Sequence, residues 1–238
     1  MRSVRAVILD AGGVIIHPDL DWIARRCREQ GLTVSRRELF EAYYRAVYAL
    51  DLEQDGATPP TLAFTSLEVR VWFFDRLLHH VGVDARRREA PVDAIARAAL
   101  ERFPRESDIY HFCMPGTAGR LERLVRAGFL LGSASNNDDA LEEQLRSVGV
   151  LHLFGALKDS GREGVAKPDP ELLLRAARDL GVAPADCLFV GDVDRVDGAA
   201  ARAAGMAFAL LDPLDQPRPT RPLCLPDLDA IHGHFAPP

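Results

Sequence analysis

The chain has 238 residues, a formal net charge of −6, 47% hydrophobic and 27% charged residues, the profile of an ordinary globule large enough to bury a sizeable interior. The acidic balance excludes a dedicated nucleic-acid surface, which needs clustered Lys and Arg, and no apolar run approaches membrane-spanning length. Cys27, Cys113, Cys187 and Cys224 are scattered without a C-x-x-C pair, which argues against a disulfide frame or a zinc site and for reduced thiols in a cytoplasm.

Val4 to Leu9 is a compact aliphatic run closed by Asp10 and the turn-forming pair Gly12-Gly13. It predicts a strand buried on both faces, and it is too short for a secretion signal. From residue 17 to residue 112 the pattern changes. Helices are predicted at Asp21–Gln30, Arg36–Leu50, Ser66–Val81 and Val92–Phe103, with a loop from Glu53 to Pro60. Ser35-Arg36-Arg37-Glu38 and Thr65-Ser66-Leu67-Glu68 both fit the reciprocal capping pattern.

From residue 113 onwards helices and strands alternate. A helix over Thr117–Ala127 ends at Gly128, before a strand through Phe129–Leu131. A helix over Asp138–Val148 follows an Asn136-Asn137 cap, and one over Glu171–Leu180 follows Asp169 and Pro170. Strands are expected at Cys187–Val190 and Ala207–Leu211, with a Pro-rich stretch from Pro213 to Pro226. This alternation predicts an α/β fold: a doubly wound, Rossmann-like parallel sheet. Residues 1–16 and 113–238 would form that core, and 17–112 an all-helical domain inserted after the first strand.

Ligands of such sheets bind outside the carboxyl ends of the strands. There the sequence gathers Asp10 after the first strand, Ser133, Ser135 and Asn136 after the next, and Asp192 with Asp197 after a later one. Lys167 precedes a helix on the same side. The set suits phosphoryl transfer. A phosphate ester repels an attacking carboxylate unless a divalent cation lies between them, and Mg²⁺ takes oxygen ligands. Asp10, the Gly12 carbonyl, Asp192 and Asp197 are the expected Mg²⁺ ligands. Ser135, Asn136, Lys167 and the backbone N–H groups of the turn through Gly12 and Gly13 are the expected phosphate-binding groups. Asp10 is the expected nucleophile, forming an aspartyl-phosphate that water hydrolyses.

Asp10-Ala11-Gly12-Gly13-Val14 resembles the first motif of the haloacid dehalogenase superfamily. Ser135-Asn136 is similar to its second and Lys167-Pro168-Asp169-Pro170 to its third. Gly191-Asp192 with Asp197, followed by Ala204-Gly205-Met206, is similar to its fourth. The helical stretch after the first motif looks like the C1 cap of subfamily I. The resemblance implies a hydrolase, with phosphatases, dehalogenases and phosphonatases all in the superfamily. Gly12 departs from the phosphatase pattern, where an Asp protonates the leaving group; general acid help is typically worth about 10²–10⁴ in rate. Haloacid dehalogenases need no metal and carry Ser-Asn where this chain has Gly191-Asp192. Phosphonatases use a cap lysine, and residues 17–112 contain none.

The reading that follows is a cytoplasmic, Mg²⁺-dependent phosphatase of a small phosphorylated metabolite, monomeric or homodimeric. A 2-haloacid dehalogenase-like hydrolase on the same Asp and a non-catalytic phosphate-binding relative are the alternatives. His17 is weighed as a replacement acid but is read as structural, Asp194 as a solvated loop acid, and Trp72, Phe73 and Phe74 as ordinary burial between helices. His79-His80, adjacent on a helix, point apart and make a poor metal pair.

Overall fold

The protein is described here by a computed structural model over residues 2–52, 67–103, 109–219 and 222–237. It forms two compact units, one of Met1–His17 with Cys113–Pro238, the other of Pro18–Phe112. The chain opens with β1 (Arg2–Ser3), β2 (Ala6–Leu9) and β3 (Ile16–Pro18). The second unit then contributes α1 (Leu20–Glu29), α2 (Arg36–Leu52), α3 (Leu67–Val81) and α4 (Ala85–Arg102). β4 (Tyr110–Cys113) follows where the chain returns to the first unit. There follow α5 (Thr117–Arg126), β5 (Leu130–Ser135), α6 (Leu141–Ser147), β6 (Ala156–Asp159), α7 (Ser160–Glu163) and α8 (Glu171–Asp179). The chain continues through β7 (Cys187–Gly191), α9 (Ala199–Ala203), β8 (Ala207–Leu211), β9 (Leu223–Leu225), α10 (Ile231–His234) and β10 (Phe235–Ala236).

Six strands form one sheet in the order β6-β5-β2-β7-β8-β9, and every neighbouring pair is parallel. This is the doubly wound core that the alternation predicts. β2 is central because Ala6, Val7, Ile8 and Leu9 are apolar on both faces, and all four are fully buried. On one face Leu172, Leu173, Ala176 and Ala177 of α8 pack with Ile8, Ala134 and Phe189, the stripe of an amphipathic helix laid on a sheet. Leu9 lies opposite Ser133 on one side and Val190 on the other. The strand order reverses at β2, and the crevice outside its carboxyl end is where such sheets place a ligand.

Several elements depart from the sequence expectation, each for a physical reason. β5 runs on to Ser135 although Gly132-Ser133-Ala134-Ser135 is not an apolar run. Ser133 is fully buried and its hydroxyl donates to the Leu9 carbonyl at 3.0 Å, which satisfies the polar group inside the sheet. β6 and β9 carry no clear signal in the sequence, since Ala156-Leu-Lys-Asp and Leu-Cys-Leu are short edge segments with half-buried positions. α4 starts at Ala85 instead of Val92. The Asp84 carboxylate caps it through the Arg86 N–H at 2.9 Å, and the helix carries Pro91 internally.

In the second unit the capping pair at Ser35 and Glu38 forms as expected: the Ser35 N–H donates to Glu38 at 2.8 Å and the Glu38 N–H to Ser35 Oγ at 3.2 Å. The Thr65-Ser66 pattern and the Glu53–Pro60 loop lie outside the described residues. Phe73 and Phe74 are buried and stack edge-on, with centroids 5.3 Å apart. No described helix is long and apolar enough to cross a membrane.

Candidate active site

Asp10 follows β2 directly, and its N–H donates to the Val190 carbonyl at 2.9 Å, so strand pairing delivers it to the carboxyl edge of the sheet. Asp10 Oδ1 accepts the Ala11 N–H at 2.7 Å. The chain then turns tightly: the Ala11 carbonyl accepts the N–H groups of Ile15 and Ile16, each at 2.9 Å. Gly13 makes the turn possible with φ of 73°, a left-handed conformation that suits glycine. Its N–H donates to the Ile16 carbonyl at 2.8 Å. That N–H, expected as a phosphate donor, is engaged inside the turn. Gly12 is half-buried and bridges to Ile16.

β7 ends on Gly191, and the next residues build the acidic side of the site. Asp192 is 5% exposed and Asp197 1% exposed. Asp197 Oδ2 accepts the N–H groups of Asp192 at 3.1 Å and Val193 at 3.0 Å, which ties its helical turn (Asp194–Gly198) back to the strand end. A Cβ at Gly191 would overlap the Asp197 carboxyl, so the close approach needs glycine. Asp194, read as a solvated acid, is instead paired with Arg202 at 2.7 Å.

Lys167 reaches this cluster from the loop before α8. Its Nζ lies 2.9 Å from Asp10 Oδ1 and 2.8 Å from Asp197 Oδ1, with the side chain 1% exposed. Burial opposes the ammonium charge, but Asp10 and Asp197 outweigh it and hold the Lys167 pKa above its ordinary value. Burial pushes the Asp197 carboxyl up to about 6 against the pull of Lys167. Burial, then Asp197 and Asp10, push Asp192 well above the usual carboxylate range.

Carboxylate oxygens of Asp10, Asp192 and Asp197 lie within 4.8 Å of one another. One ammonium against three carboxylates leaves a surplus of negative charge in a buried site, which is unfavourable without a further cation. The donors are all hard oxygens, the preference of a divalent ion such as Mg²⁺ or Ca²⁺. The cluster could hold a metal ion, and its charge and its chemistry both fit one.

On the other side of Asp10, Ser135 is the last residue of β5 and is 4% exposed. Asn136 follows, exposed at the strand end. The Asn136 side chain is engaged by the backbone of Lys167: Nδ2 donates to the Lys167 carbonyl at 2.9 Å and Oδ1 accepts the Lys167 N–H at 2.8 Å. The expected helix start at Asp138 is displaced. The Asn137 N–H donates to Ser160 Oγ at 2.9 Å, and α6 begins only at Leu141. Asp159 accepts the N–H groups of Asp139 and Leu141, each at 3.0 Å. Asp159 and Ser160 thus hold this loop, and sequence reading missed both because the strand that delivers them went unrecognised. An Asp-Ser pair closing a short run before a glycine is the signal that was there to be used.

His17 is 2% exposed, and burial lowers its pKa to about 4 against a hydrogen bond with the Gly13 backbone. It is neutral near pH 7 and serves the turn, in keeping with the structural reading. His80 is likewise lowered to about 4, by burial first and then by His79, Arg45 and Arg76.

The sequence model of the haloacid dehalogenase-like hydrolases matches residues 4–205. The chain belongs to that family. This haloacid dehalogenase-like hydrolase is 32% identical over 134 residues to the glyceraldehyde 3-phosphate phosphatase of Methanopyrus kandleri, across 56% of this chain and 55% of that protein. It is 29% identical over 236 residues to haloacid dehalogenase-like hydrolase domain-containing protein 3 of Bos taurus, across 92% and 90% of the two chains. The chain spans about half the length of the curated phosphatases of Methanopyrus kandleri and Thermus thermophilus that it matches. Among solved structures, a phosphatase of the family from Thermococcus onnurineus superposes with a TM-score of 0.57 at 19% identity, covering 98% of this chain and 97% of that one. At that identity the likeness shows the fold alone.

Proposed function

We propose that this hydrolase is a Mg²⁺-dependent phosphatase that moves the phosphoryl group of a small phosphorylated metabolite to Asp10 and then to water. The observation that carries the reading is the meeting of half-buried Asp10 with buried Asp192 and Asp197 around a single Lys167. Asp10, the Gly12 carbonyl, Asp192 and Asp197 would hold the ion. Bound Mg²⁺ would offset the surplus negative charge and let a phosphate approach a carboxylate.

Asp10 attacks phosphorus in line, the P–O bond to the leaving group breaks, and the aspartyl-phosphate so formed is hydrolysed with regeneration of the carboxylate. Ala11 N–H and Lys167 fix one Asp10 oxygen before substrate arrives, so the nucleophile is oriented in advance. Lys167 and the Ser135 hydroxyl bind the phosphoryl oxygens whose charge changes in the transition state. Gly12 offers no side chain to protonate the departing oxygen. That favours substrates whose leaving group departs readily as an anion, such as an acyl or anomeric phosphate. The phosphatases among the matched relatives support the phosphoester reading. Displacement of halide from a 2-haloacid is disfavoured, because the substrate carboxylate would join three clustered carboxylates, two of them buried.

The test is phosphate release from a panel of phosphorylated metabolites, acyl and sugar-1-phosphates included, with Mg²⁺ and with chelator. Turnover is expected only with Mg²⁺, and Asp10→Asn is expected to lower it by at least about 10³. Absence of turnover across the panel, or halide release from 2-haloacids in the presence of chelator, would overturn the proposal.

A further inference from the structure

The Asn136 carboxamide bonds both backbone groups of one residue, Lys167, from 31 positions away: Nδ2 donates to its carbonyl at 2.9 Å while Oδ1 accepts its N–H at 2.8 Å. A carboxamide used in this way imitates the peptide group of a neighbouring strand, and it fixes the backbone from which the Lys167 side chain departs. That side chain is long and flexible, with substantial rotamer entropy. Its tip is set by Asp10 and Asp197, and the Asn136 clamp sets its root.

Asn136 is itself held on both sides. Ser135 is in register with Asp159 as the last pair of β5 with β6. The Asn137 carbonyl accepts Ser160 Oγ at 3.0 Å and the Gly161 N–H at 2.9 Å, and a Cβ at Gly161 would crowd the Asn137 carbonyl and the Asp139 nitrogen. The loop carrying Asn136 is thus fastened to β6 and α7, so the carboxamide is presented to Lys167 by a fixed frame.

We propose that Asn136 is a positioning residue whose side chain acts through Lys167, aligning the ammonium with Asp10 and the incoming phosphoryl group, and does not itself bind substrate. The inference rests on the role given above to Lys167 and deepens it. Asn136 is exposed while Lys167 is 4% exposed, so truncating Asn136 opens no cavity in the core.

Lys158 and Lys167 are the two lysines of the chain, and Lys158 is held separately by Glu163 and Asp179. This gives a readout independent of activity. The full-length, metal-free wild type, Asn136→Ala and Asn136→Asp are treated briefly with acetic anhydride, and acetylation at each lysine is followed by peptide mass spectrometry. In Asn136→Ala the Lys167 rate relative to Lys158 is expected to rise by about tenfold, as the buried amine gains freedom to leave its ion pairs. Asn136→Asp, which keeps the acceptor for the Lys167 N–H, is expected to fall between the two, and it decides by the same ratio should Asn136→Ala not fold. An unchanged ratio, or equal acceleration at both lysines, overturns the proposal.

With a turned-over substrate, kcat is expected to fall by about 10- to 100-fold in Asn136→Ala, the scale of a small misplacement in a reacting site, with KM nearly unchanged. A raised KM with kcat retained is the mark of a substrate ligand and overturns it. Failure of the phosphatase reading shows as no turnover in any variant, and the labelling ratio still decides the clamp.

Discussion

In Asp192→Asn the buried cluster keeps its shape and loses one negative charge. Asp192 faces carboxylate oxygens of Asp10 and Asp197 within 4.8 Å, and two unit charges at that range interact by about 3–4 kcal/mol at an effective dielectric near 20. Lys167 offsets part of this repulsion, and the upward shift of the Asp192 pKa, caused by burial and then by Asp197 and Asp10, registers what remains. The metal-free variant is therefore expected to be more stable than wild type at pH 7.5 by about 1–3 kcal/mol. Addition of Mg²⁺ at about a hundredfold excess over Kd is expected to stabilise the wild type by about 2.7 kcal/mol, or about 5–10 °C in Tm for a domain of this size, and to do little for the variant.

The assay is thermal unfolding followed by circular dichroism, with chelator and with Mg²⁺. Its pH dependence has a definite sign. Asp197 titrates at about 6 in the fold against a reference of 3.8, so between those values the folded metal-free protein holds a proton that the unfolded chain has released. Stability then falls as pH rises through that window, by on the order of 2–3 kcal/mol, and Mg²⁺ opposes the loss by favouring the ionised carboxylates. Destabilisation of metal-free Asp192→Asn, or a Mg²⁺-induced gain that survives in it, would refute the electrostatic argument.

Gly191→Ala sets a methyl group against the Asp197 carboxyl; activity is expected to drop by at least about tenfold and stability by about 1–3 kcal/mol, read by steady-state kinetics and urea unfolding, and wild-type values in both would refute the close approach. His17, lowered to about 4 from 6.5 by burial, shows the opposite pH sign to Asp197. The unfolded chain binds its proton first, so stability is present above pH 6.5 and declines by up to about 3 kcal/mol as pH falls toward 4. His17→Gln should flatten that acid limb in urea titrations from pH 4.5 to 7.5, and an unchanged slope would exclude His17 as its cause.

The groups that gather around Asp10 were legible because each stands just past a strand or opens a helix, where a parallel sheet sends its polar residues to one edge. Asp10, Ser135 and Asp192 follow directly from that rule, and α8 from its apolar stripe after Asp169 and Pro170. Illegible were features whose cause lies elsewhere in the chain. Nothing near Asn136 announces that its carboxamide is taken by Lys167, and nothing near Asp138 shows that Asp159 will delay the helix to Leu141. β6 escaped notice because Lys158, with its ammonium on Glu163 and Asp179, interrupts the apolar run. α4 runs through Pro91, whose missing N–H weakens a helix without ending this one.

The position of β2 also constrains how the molecule is made. Among the strands of the six-stranded sheet it is synthesised before its partners, which lie far later in the chain, around Ser133 and Val190. Until they emerge, the aliphatic side chains of Ala6–Leu9 have no sheet to enter, and such long-range pairings form slowly and leave sticky surface waiting. A shortened chain ending before β7 would carry Asp10 but neither Asp192 nor Asp197, so the acidic cluster cannot assemble on a half-made polypeptide, and chaperone demand should concentrate on the interval before that last central strand arrives.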